Sequence, residues 1–358
     1  MKRDRRKARR VGSGVHLFTG LFIASFLVVI FVFRLEPGQS EALKSEIAPA
    51  QYTLRLSGPI SPSSAGTILA LSDGLFLREG LSISLVAGAD DSDAISAVAA
   101  DENTIGLASA AGFLKARAEG IPIVAFAASY IVNSAEFYSL PRISVLSPSD
   151  LEGKRIGYRP GPEISTLLQA FVARNGIAQS KLQLVETDKP LQDLVDRKID
   201  VLVGHRDIEG QELDRLNVDY RSLSPDSFGI HFAGPVYFAH QRAFSKQRNL
   251  QKFLIATANG WKAAYSDYER TVPIIARAID APPPPPLISR LMDAQRHLLR
   301  PFGARFGELD SRRLQVLQAQ LLQRRIIREP IDLTRAINYD VLKEAYRREA
   351  NTLNRIEP

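Results

Sequence analysis

From Tyr52 to about Gly204 the apolar positions switch repeatedly between a period of two and the helical period of about 3.6, which predicts strands alternating with helices. Leu54 and Leu56 in YTLRLS, and Leu81, Ile83 and Leu85 in LSISLV, alternate with other residues as strand positions do. Between them Ser63 or Ser64 caps a helix carrying Ile68, Leu69 and Leu71, and Gly74 closes it through a left-handed turn. The next helix runs from about Asp91 to Ala100, with Asp90, Asp91 and Ser92 as cap candidates; strand TIGLAS, helix Ala111 to Glu119 and strand IPIVAFAAS follow. Such a run of βαβ units predicts a mainly parallel sheet with right-handed crossovers. A second series follows the loop SPSDLEG: strand KRIGY, a helix from about Ser165 to Arg174, strand LQLVE, helix Pro190 to Arg197 and strand IDVLVG. Near HFAGPVYFAH the chain reads as re-entering the first lobe, and beyond Gln247 it is mainly helical, interrupted by a stiff proline run from Pro282 to Pro286. The fold class expected is α/β in two lobes, each a mainly parallel sheet flanked by helices, with a helical C-terminal region.

Composition changes the picture at the N-terminus. Met1 to Arg10 carries seven Lys/Arg against one Asp, most of the formal charge of +7, so the body is nearly neutral and its composition gives no support to nucleic-acid binding. The uncharged stretch Val15 to Phe33 would span about 28 Å as a helix, close to a hydrocarbon core of about 30 Å. It is longer than the apolar run of a cleavable signal peptide, and Arg34, Leu35, Glu36 and Pro37 follow it where a peptidase needs small residues. The expectation is a cytoplasmic basic tail (1–14), a transmembrane signal anchor (15–34), a tether (35–51), and a body outside the cytoplasmic membrane.

The chain has no cysteine, which excludes a disulfide, a thiolate metal site, a cysteine nucleophile and a lipidated N-terminal Cys. Its five His residues show no metal-binding spacing, and neither a G-x-S-x-G elbow nor a G-x-G-x-x-G turn is present. Gly153-Lys154 is not the end of a phosphate loop, because Pro148 stands where the first glycine belongs. No catalytic site, cofactor or metal is therefore expected. Binding chemistry is: in open parallel sheets ligands sit beyond the carboxyl ends of strands, where helix N-termini present free N–H groups. The predicted strand ends, SGPISPSS, Gly88 to Ser92, Ser109 with Ala110, Ser129 with Tyr130, RPGPEIST, and Gly204 to Arg206, are rich in small polar residues in both lobes.

These segments carry a resemblance. ALSDGLFLREGLSISLVAG is similar to a signature of the extracytoplasmic substrate-binding proteins of ABC importers, in the family that binds sulfonates, nitrate or taurine and the pyrimidine precursor of thiamine. IGLASAAGFLKARAEGIPIVAFAA, SPSDLEGKRIGYRPGPEISTLLQAFVARNGI and ANGWKAAYSDYERTVPIIAR agree in order and spacing, so the resemblance covers roughly Tyr52 to Ile279. It implies a type II periplasmic-binding-protein fold, with one lobe from 52–140 plus 235–358 and the other from 141–234. Function would be capture of a small molecule between the lobes by a monomer and delivery to the permease and ATPase subunits of an importer. Carried over loop by loop, the ligand-binding candidates are Ser61, Ser63, Ser64, Ser109 and Ala110 in the first lobe and Gly161, Ser165, Thr166 and His205 in the second, with Tyr130 and Tyr158 as stacking faces.

Two features depart from the family's pattern: the retained membrane helix and the acidic loop GADDSDA. If Asp90, Asp91 and Asp93 face the cleft they repel a sulfonate or nitrate and favour a neutral or cationic heterocycle; if they only cap the following helix, an anion remains possible. A membrane-anchored ligand sensor and a thiamine pyrimidine synthase-like enzyme stay open as alternatives, the second weakened by the absence of cysteine.

Overall fold

The computed structural model describes residues 48–143, 145–300 and 304–353. The expected cytoplasmic tail, the membrane segment 15–34 and all but the end of the tether lie outside these residues. Among the described residues no helix is long and apolar enough to cross a membrane.

The elements, in chain order, are β1 (Ala50–Leu56), a 3-10 turn (Pro62–Ser64), α1 (Ala65–Ser72), α2 (Leu75–Arg78), β2 (Leu81–Val86), α3 (Asp91–Ala100), β3 (Thr104–Ala108), α4 (Ala110–Ala118) and β4 (Ile123–Ala128). The second lobe holds β5 (Ala135–Ser139), β6 (Arg155–Tyr158), α5 (Pro162–Arg174), β7 (Gln183–Glu186), α6 (Pro190–Val195), β8 (Val201–His205), a π turn (Arg206–Gly210), α7 (Gln211–Arg215) and β9 (Arg221–Leu223). Then follow β10 (Val236–His240), α8 (Gln247–Ser266), α9 (Tyr268–Arg277), α10 (Pro285–Leu299), α11 (Ser311–Gln323), α12 (Leu333–Ala336) and α13 (Asp340–Leu353).

Two five-stranded sheets result, in the orders β2-β1-β3-β10-β4 and β7-β6-β8-β5-β9. Both are mixed. β10 runs antiparallel to β3 and β4, and β5 antiparallel to β8 and β9, while the other paired neighbours are parallel. The expected mainly parallel series omitted β5 and read β10 only as a return near HFAGPVYFAH, and the reason for the mixed sheets is topological: each of these strands enters its sheet from the other lobe, so it arrives from the hinge side and runs antiparallel to its neighbours. The crossing between sheets falls between β4 and β5. Helix starts also move to where capping is better; α5 begins at Pro162 rather than near Ser165, because proline at the first helical position forfeits only an N–H that has no helical partner.

The first lobe is closed by α8, whose Leu250, Phe253, Leu254 and Trp261 recur at helical spacing and are buried at 0%, 0%, 2% and 5% exposure. Phe253 is the centre of its core, with ring centroids of Phe76, Tyr237 and Phe126 at 5.7, 5.4 and 6.4 Å. α4 is different: Ala110, Ala111, Gly112, Phe113, Leu114 and Ala116 are all buried, so the helix is enclosed over most of its first two turns. It is enclosed because α5 of the second lobe and α11 pack against it, and one continuous apolar cluster runs from Phe113 and Leu114 through Leu167 and Phe171 to Leu314 and Leu317. Arg313 of α11 adds an ion pair to Asp226 at 2.6 Å.

Two extended segments join the lobes, and they pair with each other. Val132 and Ala233 form an antiparallel bridge, Ser129 donates its N–H to Pro235 O at 2.8 Å, and Asn133 donates to Phe232 O at 3.3 Å. Gly234 is set so close to the opposite segment that a Cβ there would lie 2.2 Å from Tyr130 O and 2.8 Å from Val132 O. Gly234→Ala is therefore expected to lower unfolding free energy by about 1–3 kcal/mol, the usual cost of forcing a methyl group into a packed site, as read from denaturant midpoints.

Candidate functional site

The strand ends of the first lobe are built from caps. Ser61 caps the 3-10 turn, its Oγ accepting the Ser63 N–H at 3.3 Å and lying 2.7 Å from Ser63 Oγ. Ser64 is buried beneath them. Ser109 caps α4, with its Oγ accepting the Gly112 N–H at 3.0 Å, and Ala110 follows in the first turn, 1% exposed. The three aspartates of the acidic loop part ways. Asp90 caps α3, accepting the Asp93 N–H at 2.9 Å. Asp93 accepts two bonds from Arg55 Nη2, at 2.8 and 2.6 Å, and one from the Ala89 N–H at 2.9 Å; these hold its carboxyl below the usual range. Asp91 alone reaches the start of α4, where its carboxylate accepts both the N–H of Ser109, at 2.9 Å, and the Ser109 hydroxyl. It comes so near the helix that a Cβ at Gly112 would lie 2.3 Å from Asp91 Oδ2, so glycine is required there.

The second lobe presents its own carboxylates to this point. Glu163 stands in the first turn of α5 and accepts Asn133 Nδ2 at 2.5 Å on Oε1, with Oε2 3.7 Å from His205 Nε2. The other face of the imidazole meets the hinge: Ser134 Oγ lies 3.2 Å from His205 Nδ1 and donates to Asp207 Oδ1 at 2.7 Å. Asp207 belongs to the π turn, a widened turn that recurs at functional sites, and Glu209 of the same turn accepts the His205 N–H at 2.8 Å.

The charges of the two lobes feel one another. Burial pushes the Glu163 carboxyl up, and Asp91 and Asp207 add to the shift against the opposing pull of His205 and Asn133. For His205 burial favours the neutral ring, but Glu163, Asp207, Glu209 and Asp91 outweigh it and raise the imidazolium above its ordinary value. Four carboxylates thus surround one imidazole, and the cluster is acidic. Among the described residues no group of three or more His, Asp or Glu is placed to hold a metal ion.

Of the residues expected at the site, the structure brings Ser63, Ser109, Tyr130 and His205 to this cluster. Tyr130 is 2% exposed, and its phenol lies beside Ser63 and within electrostatic reach of Asp207, yet the protein gives its hydroxyl no hydrogen bond. Gly161 caps α5, Ser165 is half-buried with its N–H on Gly161 O at 3.2 Å, and Thr166 is fully buried with a hydroxyl that makes no hydrogen bond. Tyr158 is not brought in: its hydroxyl donates to Glu186 on the neighbouring strand at 3.0 Å, and burial and that carboxylate push it up to about 12. Asn133, Ser134, Glu163, Asp207 and Glu209 escaped the sequence reading. Glu163 lies inside the RPGPEIST loop it had selected, where a carboxylate in a first helical turn is indistinguishable from an exposed cap.

The profile described as "NMT1/THI5 like" matches residues 61–270, more than half of the chain. The chain belongs to the NMT1/THI5-like family. A formylaminopyrimidine-binding protein of Halalkalibacterium halodurans is 23% identical over 216 residues, covering 58% of this chain and 63% of that one. The chain spans less than two thirds of the length of the curated relatives it matches. The periplasmic aliphatic sulphonate-binding protein SsuA of Escherichia coli superposes with a TM-score of 0.66 at 17% identity over 81% of this chain and 92% of that one. The desulfurization enzyme DSZB superposes with 0.58 at 14% identity, over 83% and 99%. The fold of this family member is thus the periplasmic-binding-protein fold, as its two mixed sheets and paired hinge already indicate.

The electrostatics of the cluster set a pH dependence. His205 binds its proton more tightly folded than unfolded, so its contribution to stability is full below its ordinary value near 6.5 and is lost as pH rises through the higher folded value. Glu163, raised above 4.5, has the same sign. The thermal midpoint is expected to fall as pH rises above 6.5, and His205→Asn to flatten that slope; equal slopes in the two proteins would contradict the assignment.

Proposed function

We propose that the protein is the extracytoplasmic solute-binding component of an ABC importer, and that it holds a neutral or cationic nitrogen heterocycle of the aminopyrimidine class between its lobes. The observation that carries the ligand class is the seat of Asp91. In this fold a helix N-terminus facing the cleft is where an anion is held, by free N–H groups and the positive end of the helix dipole. Here the start of α4 is already taken by a carboxylate of the chain itself, and the first turn of α5 carries Glu163. A sulfonate at either place would meet like charge across a poorly hydrated space, which costs far more than in water. An amino-substituted ring, by contrast, offers N–H donors to Asp91, Glu163 and Asp207. The aminopyrimidine named for the Halalkalibacterium halodurans relative has this chemistry.

Binding rather than catalysis is the reading favoured, although DSZB shares the fold. The chain has no cysteine, and the serine beside the one imidazole of the cluster, Ser134, donates its hydroxyl proton to Asp207 rather than to His205. The basic N-terminus followed by the apolar stretch 15–34 supports a retained single-pass anchor with the body in the periplasm, where a tether would keep it near its permease.

Isothermal titration of the full chain in detergent tests the ligand class. Formylaminopyrimidine is expected to bind and an alkanesulfonate not to; the reverse order would overturn the reading. Asp91→Asn and Glu163→Gln are each expected to weaken the pyrimidine at least tenfold. Cell fractionation should find the protein in membranes after alkaline washing, with its body open to protease added to spheroplasts; release by the wash would remove the anchor.

A further inference from the structure

The C-terminal helix α10 carries a glutamine that nothing in the packing explains. Gln295 is 1% exposed, on the face that also buries Met292, Leu298 and Leu299, and neither Nε2 nor Oε1 has a hydrogen-bond partner within the protein. A buried amide without partners destabilises a fold, and apolar residues fill the rest of this face. Gln211, at the start of α7 and 8% exposed, repeats the anomaly with its Nε2.

The two amides lie on elements that meet at the lobe junction. α10 packs against the 3-10 turn Pro62–Ser64 of the first lobe and against α7 of the second. Its backbone is fixed on both sides of Gln295: Leu298 O accepts the hinge N–H of Ile131 at 2.9 Å, and Met292 O accepts the Tyr265 hydroxyl at 3.0 Å. Tyr130, next to Ile131, has its phenol beside Ser63 and within electrostatic reach of both Tyr265 and Asp207. Two amides with unspent hydrogen-bonding capacity, from α7 and from α10, therefore sit on elements that pack together, and the hinge that carries Tyr130 is bonded to α10.

Resting on the cleft reading above, we infer that Gln295, supported by Gln211 and Tyr130, is a specificity-determining ligand contact that the C-terminal helices contribute to the binding site. A carboxamide matches an N–C–NH2 edge in full: its oxygen accepts from the exocyclic amino group while its nitrogen donates to the ring nitrogen, the same bidentate pairing by which glutamine reads adenine. Gln211 Nε2 supplies a further donor and Tyr130 a hydroxyl that serves in either sense. The acidic cluster then sets the charge preference, and α10 reads the edge of the ring.

Two readouts on the full chain in detergent test this. The first is the thermal midpoint without ligand: Gln295→Leu removes a buried amide that the fold does not use, so the midpoint is expected to hold or to rise by about 2 °C. A fall of several degrees would mean that the amide is structural and would overturn the inference. The second is titration with formylaminopyrimidine and with the analogue lacking the exocyclic amino group. Gln295→Leu is expected to cost tenfold or more on the first and less than twofold on the second, and equal losses on both, or none, would overturn it. Should the wild type bind neither pyrimidine, the proposed ligand class fails, and the thermal readout alone decides whether Gln295 is held for function.

Discussion

The structure depends on one constraint: the chain crosses between its two sheets twice, and the second crossing must return into the middle of the first sheet. β10 lies between β3 and β4, so the first lobe's sheet is continuous only when the chain comes back from the second lobe. The return segment pairs with the outgoing one through the Val132–Ala233 bridge, and Gly234 permits the contact. A two-segment hinge of this kind allows the lobes to rotate about it while keeping the strand ends of both sheets turned toward each other. The groups of the acidic cluster are placed by that arrangement: Asp91 and Ser109 beyond strand ends of the first sheet, His205 at the end of β8 with Asp207 and Glu209 in the turn after it, Glu163 in the first turn of α5, and Asn133 and Ser134 by the hinge itself.

The apolar contacts that bridge the lobes have a second consequence. α4, α5 and α11 share one hydrophobic cluster, so separating the lobes would expose side chains such as Phe113, Leu114, Leu167 and Leu314. At roughly 25 cal/mol per Å² of apolar surface, opening would be costly unless α11 moved with one lobe. Arg313, bonded to Asp226 of the second lobe at 2.6 Å, shows where α11 holds across the gap. On the opposite side α10 packs against α7, the start of which carries Gln211.

Much of the fold was legible in the sequence, because strands buried on one face and helices buried along one stripe write their periods plainly. β1, β2, β3 and the helices α1, α3 and α4 fall within a residue or two of the expected places. The strands that failed to register, Ala135–Ser139 and Arg221–Leu223, are short and lie beside or at an edge of the second sheet, so they offer too few alternations to define a period. The site was legible in its loops and illegible in its chemistry. The sequence reading chose serines at strand ends, and Ser63 and Ser109 do lie at the cluster, but Ser63 is bonded to the cap Ser61 and Ser109 is itself a cap. The carboxylates that set the character of the site sit in the same loops, and no local pattern distinguishes Asp91, which crosses to α4, from Asp90, which caps its own helix.

That difference of one residue sets the charge at the start of α4. Asp90, Asp91 and Asp93 are equally acidic in sequence, yet Asp93 is neutralised by Arg55 and Asp90 is spent on a cap, so only Asp91 carries charge to the junction of the lobes. A negative group at a helix N-terminus is stabilised by the dipole, by about 0.3–1 kcal/mol at an exposed site and more when partly buried, and this is the energy a bound sulfonate would otherwise draw on. By supplying the anion itself, the chain satisfies the helix and places a negative charge where a helix N-terminus would otherwise attract one. Glu163 completes the inversion from the other lobe: burial raises its carboxyl, so its charge is retained most readily when a donor or a cation stands in front of it. His205 is the donor the chain provides.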